Sequence, residues 1–189
     1  MVKRVSKQSR IEKTLLRGVI GFIAGVVATC PMTVAMILWH RRLPHREQYP
    51  LPPREITMKL ARKTGLEEHM SDEAKSAATL VAHFAYGAAA GAVYGALSER
   101  LPVPAVIKGV GCGLLVWTGS YLGLLPSTGI LNLATDHPAR RNLLMIGAHI
   151  VWGAALGMVT QILQQESGDE GQQPFSASYA PHYDVSRAR

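Results

Sequence analysis

The chain has 189 residues, 48% hydrophobic and 17% charged, with 20 Lys and Arg against 13 Asp and Glu and a formal net charge of +7. The charge is unevenly spread: residues 18–39, 76–98, 109–135 and 142–165 contain no Lys, Arg, Asp or Glu, and each window reaches the roughly 20 residues that cross about 30 Å of hydrocarbon. Such a pattern excludes a soluble α/β enzyme, a secreted disulfide scaffold and a disordered chain, and the mean hydropathy of +0.10 reflects four apolar segments diluted by polar ends and one long loop.

Residues 1–14 form a basic tail predicted to lie in the cytoplasm. Lys3, Arg4, Lys7, Arg10, Lys13 and Arg17 stand directly before the uncharged stretch of the first span, where cations meet anionic headgroups and hold a helix end on the cytoplasmic side. The expected partner is therefore the lipid bilayer, and no nucleic acid is expected. The first span is predicted over 15–39. It is too long for a signal-peptide core and is expected to stay uncleaved and unlipidated, although Cys30 faintly suggests a lipobox. Pro31 removes a backbone donor and predicts a kink. Trp39-His40-Arg41-Arg42 makes an interfacial stop.

Residues 40–75 form the polar loop. Pro50-Leu51-Pro52-Pro53 favours extended geometry along the surface. A short helix is expected over 54–64, with Ile56 and Leu60 on one side toward the interface and Gly65 as a left-handed stop. Ser71 with Asp72 and Glu73 reads as an N-cap with acids in the first turn, opening the helix that carries the second span, 76–98. Residues 99–104, with Pro102 and Pro104, leave room only for a tight hairpin. The third span is expected over 105–126, with Lys108 snorkelling back to the surface, and the fourth over 142–164. Residues 166–189 read as a disordered tail. The expected fold class is thus all-α: an integral membrane bundle of four helices, domain 15–165, packed through glycines.

Cys30 and Cys112 lie inside apolar windows and are expected to pack as free thiols. Lys and Arg number ten on either side of the membrane, so their count does not set orientation. The six basic residues ahead of span one exceed the four near its exit, and both termini are expected in the cytoplasm.

The strongest internal signal is a repeat. Residues 82–93 and 148–159 agree at seven of twelve positions at a constant offset of 66, both reading A-H-x-x-aromatic-G-A-A-x-G-x-V. His83, Gly87, Gly91 and Gly95 fall on one helix face, and His149, Gly153, Gly157 and Gln161 form the counterpart. Bare stripes of this kind let helix backbones approach in lipid. Gly21 and Gly25 on span one, and Gly111, Gly119 and Gly123 on span three, extend the same logic and leave little room for a wide pore. His83 and His149 are expected at one depth, with Tyr86 and Trp152 three residues beyond.

These residues support three function classes. In the first, the histidines fix packing register in a non-enzymatic structural or accessory membrane component, alone, as a homo-oligomer or with a membrane-protein partner. A second is a small-solute or proton transporter using the paired histidines, although no Asp or Glu lies within a span. A third is a redox protein holding haem b between His83 and His149, with a weaker variant in which His40, His83 and His149 bind zinc. Hydrolase, NTPase and metalloprotease motifs are absent from the sequence.

The basic tail, Pro50-Leu51-Pro52-Pro53-Arg54 and Gly147-Ala148-His149-Ile150-Val151-Trp152 together resemble the YagU-like family of bacterial inner-membrane proteins of unknown function. The resemblance covers roughly 15–163 in architecture. It departs where Ala148 separates the glycine from the histidine, and in a shorter, more basic loop. It implies a multi-pass bacterial inner-membrane protein and carries no activity.

Overall fold

A computed structural model describes residues 2–48, 50–98, 102–130 and 138–169. Among them there is no strand. The elements are α1 (Val2–His40), α2 (Pro52–Lys63), α3 (Asp72–Leu97), α4 (Ala105–Thr118), a π-helical stretch Gly119–Leu124, α5 (Leu125–Ser127) and α6 (Ala139–Asp169), with 3₁₀ turns at His45–Glu47 and Glu67–His69. Four segments are long and apolar enough to cross a membrane: Gln8–His40, Asp72–Leu97, Ala105–Ser127 and Ala139–Ser167. The protein is an all-α, multi-pass membrane bundle.

Local chemistry accounts for the ends of these helices. Ser71 Oγ accepts the Ala74 N–H at 3.2 Å, satisfying one orphan donor at the start of α3. Gly65, at φ 72°, follows α2 and supplies the left-handed stop. Lys108 Nζ donates to the Ser98 carbonyl at 2.9 Å, so the α4 cation reaches back to the C-terminal end of α3. α1 is helical from Val2 onward and runs through Pro31 as one element, so the basic segment and the first span share a helix.

Glycine contacts join the bundle in two antiparallel pairs. In α1 against α3, a Cβ at Gly21 would overlap the Gly91 carbonyl oxygen, one at Gly25 the Gly87 carbonyl oxygen, and one at Gly95 the Arg17 carbonyl oxygen. In α4 against α6, Gly109 stands against the Gly153 carbonyl, Gly113 against that of His149, and Gly157 against that of Ala105. Backbone approach of this kind replaces the hydrophobic pull that lipid does not provide. The third-span stripe differs from the expected one: Gly111, Gly119 and Gly123 meet nothing within 4 Å, and Gly109 and Gly113 make the contact. Gln161 is exposed and takes no part.

The two pairs are copies of one arrangement. Gly153 follows Gly87 by the 66 residues of the sequence repeat, and Gly109, which faces Gly153, follows Gly25, which faces Gly87, by 84. α1 then packs along α6, where Ala24, Ala28, Met32 and Met36 share the core with Met145, Ala148, Trp152 and Leu156. Trp39 lies over Gly147. The related contact, α3 against α4, hardly forms.

The loop departs from its expected course. Pro52 and Pro53 do not extend along the surface; they occupy the first turn of α2, where a missing N–H costs nothing. α2 folds back against α3 and buries Pro52, Met58 and Ala61. Leu60 is exposed and does not join Ile56, which is half-buried. Span three is not one α-helix, because the turn over Gly119–Leu124 widens to π geometry. The fourth helix extends to Asp169, so the segment expected to be disordered is helical over 166–169, and 170–189 lie outside the described residues. So do Glu99, Arg100 and Leu101 of the expected hairpin, and Asp136 and His137.

Candidate functional site

A cavity of about 280 Å³ opens where α3 and α4 fail to close. α3 contributes Ala82, His83, Tyr86, Gly87 and Ala90, and the facing wall is Val116, Ser120, Tyr121, Leu124 and Leu125. Thr29 and Met32 of α1, with Met145, His149 and Trp152 of α6, line its inner side, and Pro53, Ile56 and Thr57 of α2 cover one end. Among the described residues no Lys, Arg, Asp or Glu lines it.

The four residues singled out by the repeat meet here: His83, Tyr86, His149 and Trp152 all border the same space. His149 is 6% exposed. Its Nδ1 lies 2.7 Å from the Met145 carbonyl oxygen, and since a carbonyl only accepts, Nδ1 carries the proton and the neutral ring keeps its Nε2 lone pair. The edge of Tyr121 meets the ring, with centroids 6.2 Å apart. His83 Nε2 and the Trp152 indole N–H are buried without a hydrogen-bond partner. Such groups are expensive in an apolar interior. Across the gap, the Tyr86 hydroxyl and Ser120 Oγ lie 2.8 Å apart, a hydrogen bond that bridges α3 and the π turn.

Position for position, the helix pairs explain why this space exists. At the α1–α6 interface Met32, Met36 and Leu156 fill the core. The residues 84 and 66 positions away, respectively, are Val116, Ser120 and Ala90, which are smaller and line the cavity. Tyr86 takes the place of Trp152. The π turn, a device common at functional sites, has no counterpart in α1. Ser120, Tyr121 and Met145 were not among the residues expected from the sequence. A serine and a tyrosine adjacent within an apolar span were the available signal.

α2, the lid over one end of the cavity, is pinned by charge. Arg141 Nη2 donates to Glu55 Oε2 at 2.7 Å, Lys59 lies 3.3 Å from Glu55, and Lys63 Nζ donates to the Thr128 carbonyl at 2.9 Å. Burial raises the Glu55 pKa, but the bonds from Arg141 and Lys59 outweigh it and hold the carboxyl below the usual carboxylate range. Of the proline segment, Pro53 reaches the cavity, Pro52 is buried, Pro50 is exposed, and Arg54 donates to Ser76 Oγ at 3.4 Å.

Cys30 and Cys112 are free thiols. Among the described residues no group of three or more His, Cys, Asp or Glu is arranged to hold a metal ion. His83 and His149 share the cavity, and His40 is not among its lining residues.

No curated protein and no solved structure matches the chain. A family model described as protein of unknown function (DUF1440) matches residues 32–158, from the end of the first span to the glycine repeat of the fourth. That segment contains the lid, both histidines and every cavity residue except Thr29, and the chain belongs to the DUF1440 family.

Proposed function

We propose that this protein is a non-catalytic accessory protein of the bacterial inner membrane that holds one uncharged, largely apolar molecule, taken from the bilayer, between α3 and α4. The observation that carries the reading is the 280 Å³ cavity at the one helix contact where the repeated arrangement does not close. The space is open on one side and its lining is predominantly apolar, so an apolar occupant from the surrounding lipid regains contacts that the unfilled walls lack. The resemblance to the YagU-like family supports the inner membrane, and the basic residues ahead of the first span support cytoplasmic termini.

The test is native mass spectrometry of gently extracted protein. One bound small molecule per chain is expected, lost in the Ala90→Leu/Ser120→Met double variant, which restores the larger residues of the α1–α6 contact. A wild-type spectrum with no bound species would overturn the reading.

A second reading is a b-type haem between His83 and His149. It is favoured by the Nδ1 bond of His149 to the Met145 carbonyl, the partner that a metal-ligating histidine ordinarily has. A Soret band in purified protein that disappears in His149→Ala supports it; a colourless preparation from haem-replete cells removes it.

A further inference from the structure

Resting on the reading of this cavity as a ligand site, we propose that its occupant is a neutral long-chain alcohol, with the hydroxyl at the two histidines and the hydrocarbon chain along α3 and α4. The cavity's lining extends along α3. Ala82 and Ala90 border it two helical turns apart, a rise of about 12 Å. Small side chains at Ala90 and Val116 keep that length open for a chain, where Leu156 and Met32 fill the corresponding space.

Polarity runs along the cavity. Its α2 end and middle carry His83, His149, Tyr86 and Ser120, whereas the end near Ala90 and Val116 is bordered by apolar side chains and by Thr29, whose hydroxyl already donates to the Gly25 carbonyl at 2.7 Å. A molecule that matches this gradient has one polar end and one hydrocarbon end. It is also uncharged. No Lys, Arg, Asp or Glu among the described residues lines the cavity, and Arg141 and Glu55 beside it are bound to each other. A carboxylate, phosphate or ammonium head would be buried without a counter-charge, which is far costlier than burying a hydroxyl that finds partners.

The hydrogen-bonding atoms narrow the head group further. His149 Nε2 is an acceptor, because Nδ1 donates to Met145, so the head must supply a proton. His83 Nε2 is buried with no partner, and in the tautomer that carries the proton on Nε2 it supplies the second bond. A hydroxyl donates to the first ring and still accepts from the second; an ester or ketone oxygen can only accept. The Tyr86–Ser120 hydrogen bond closes over the gap between α3 and α4, and the chain enters from the bilayer beside it.

The proposal is tested by photoaffinity labelling of the full-length protein in phosphatidylcholine nanodiscs. Three diazirine-bearing C16 probes are compared: the alcohol, the methyl-ended chain and the carboxylate at pH 8. The alcohol is expected to label α3 and α4 peptides saturably, about tenfold better than either analogue, the gain of one or two hydrogen bonds. Ala90→Leu, or Val116→Met should the first variant not fold, is expected to reduce labelling to background. His83→Phe is expected to lower labelling by the alcohol severalfold, through loss of one of its two hydrogen bonds, and to leave the methyl-ended chain unchanged. Equal labelling by the alcohol and the methyl-ended chain, or best labelling by the carboxylate, would overturn the hydroxyl assignment while leaving the cavity as a ligand site. Absence of saturable labelling by all three would overturn both.

Discussion

At Gly91 a Cβ would overlap the Gly21 carbonyl oxygen, an atom of the backbone that no rotamer change can move aside; at Gly111 it would meet nothing within 4 Å. Gly91→Ala should therefore lower stability by about 1–3 kcal/mol. Gly111→Ala should be neutral or gain up to about 1 kcal/mol through helix propensity. Thermal melting in detergent checks the pair, and equal shifts would contradict the packing described. The Glu55 carboxyl carries a pH dependence. Its folded pKa is depressed, so its contribution is present above the unfolded carboxylate pKa of about 4.3 and fades as pH falls through the lower folded value. Glu55→Gln should cost about 1–2 kcal/mol at pH 7 for this partly exposed pair and leave α2 hydrogen exchange less sensitive to acid than in the parent protein.

The helix ends and the lid act as elements. Ser71 caps α3 through the Ala74 N–H, and Ser71→Ala should cost about 1 kcal/mol, seen as faster amide exchange confined to the first turn of α3. If exchange rises along the whole helix instead, the cap is not the local anchor inferred here. α2 is tied to α6 through Glu55 and Arg141 and to the turn after α5 through Lys63. It covers one end of the cavity, whose long walls are α3 and α4.

For the whole molecule, repetition is the organising fact. Two glycine-joined pairs share a geometry, one cross-contact is filled by Met and Leu, and its counterpart is lined by Ala, Val and Ser. Ala90→Leu should raise the melting temperature in detergent, since added methyl groups regain contacts that the cavity loses. A fall would mean that the space is too narrow for the added side chain. Reporter fusions at each terminus test the proposed orientation, and both are expected to report the cytoplasm.

The sequence alone determined the four spans, the cap at Ser71, the stop at Gly65 and the kinship of the second and fourth spans. Hydrocarbon admits only helices and closed barrels, the uncharged windows have the length of spanning helices, and caps, glycine stops and repeats are written in adjacent residues. It also singled out His83 and His149, which border one cavity, because each copy of the repeat carries a histidine at the same place. Only the tertiary structure decided which glycines touch, since Gly109, Gly111 and Gly113 all satisfy a small-residue pattern and only the neighbour selects two of them. The same holds for the π turn over Gly119–Leu124, the return of α2 over the bundle and the cavity itself. Each depends on how closely two helices approach, and that distance is set by the side chains facing each other across the contact, which are far apart in the chain.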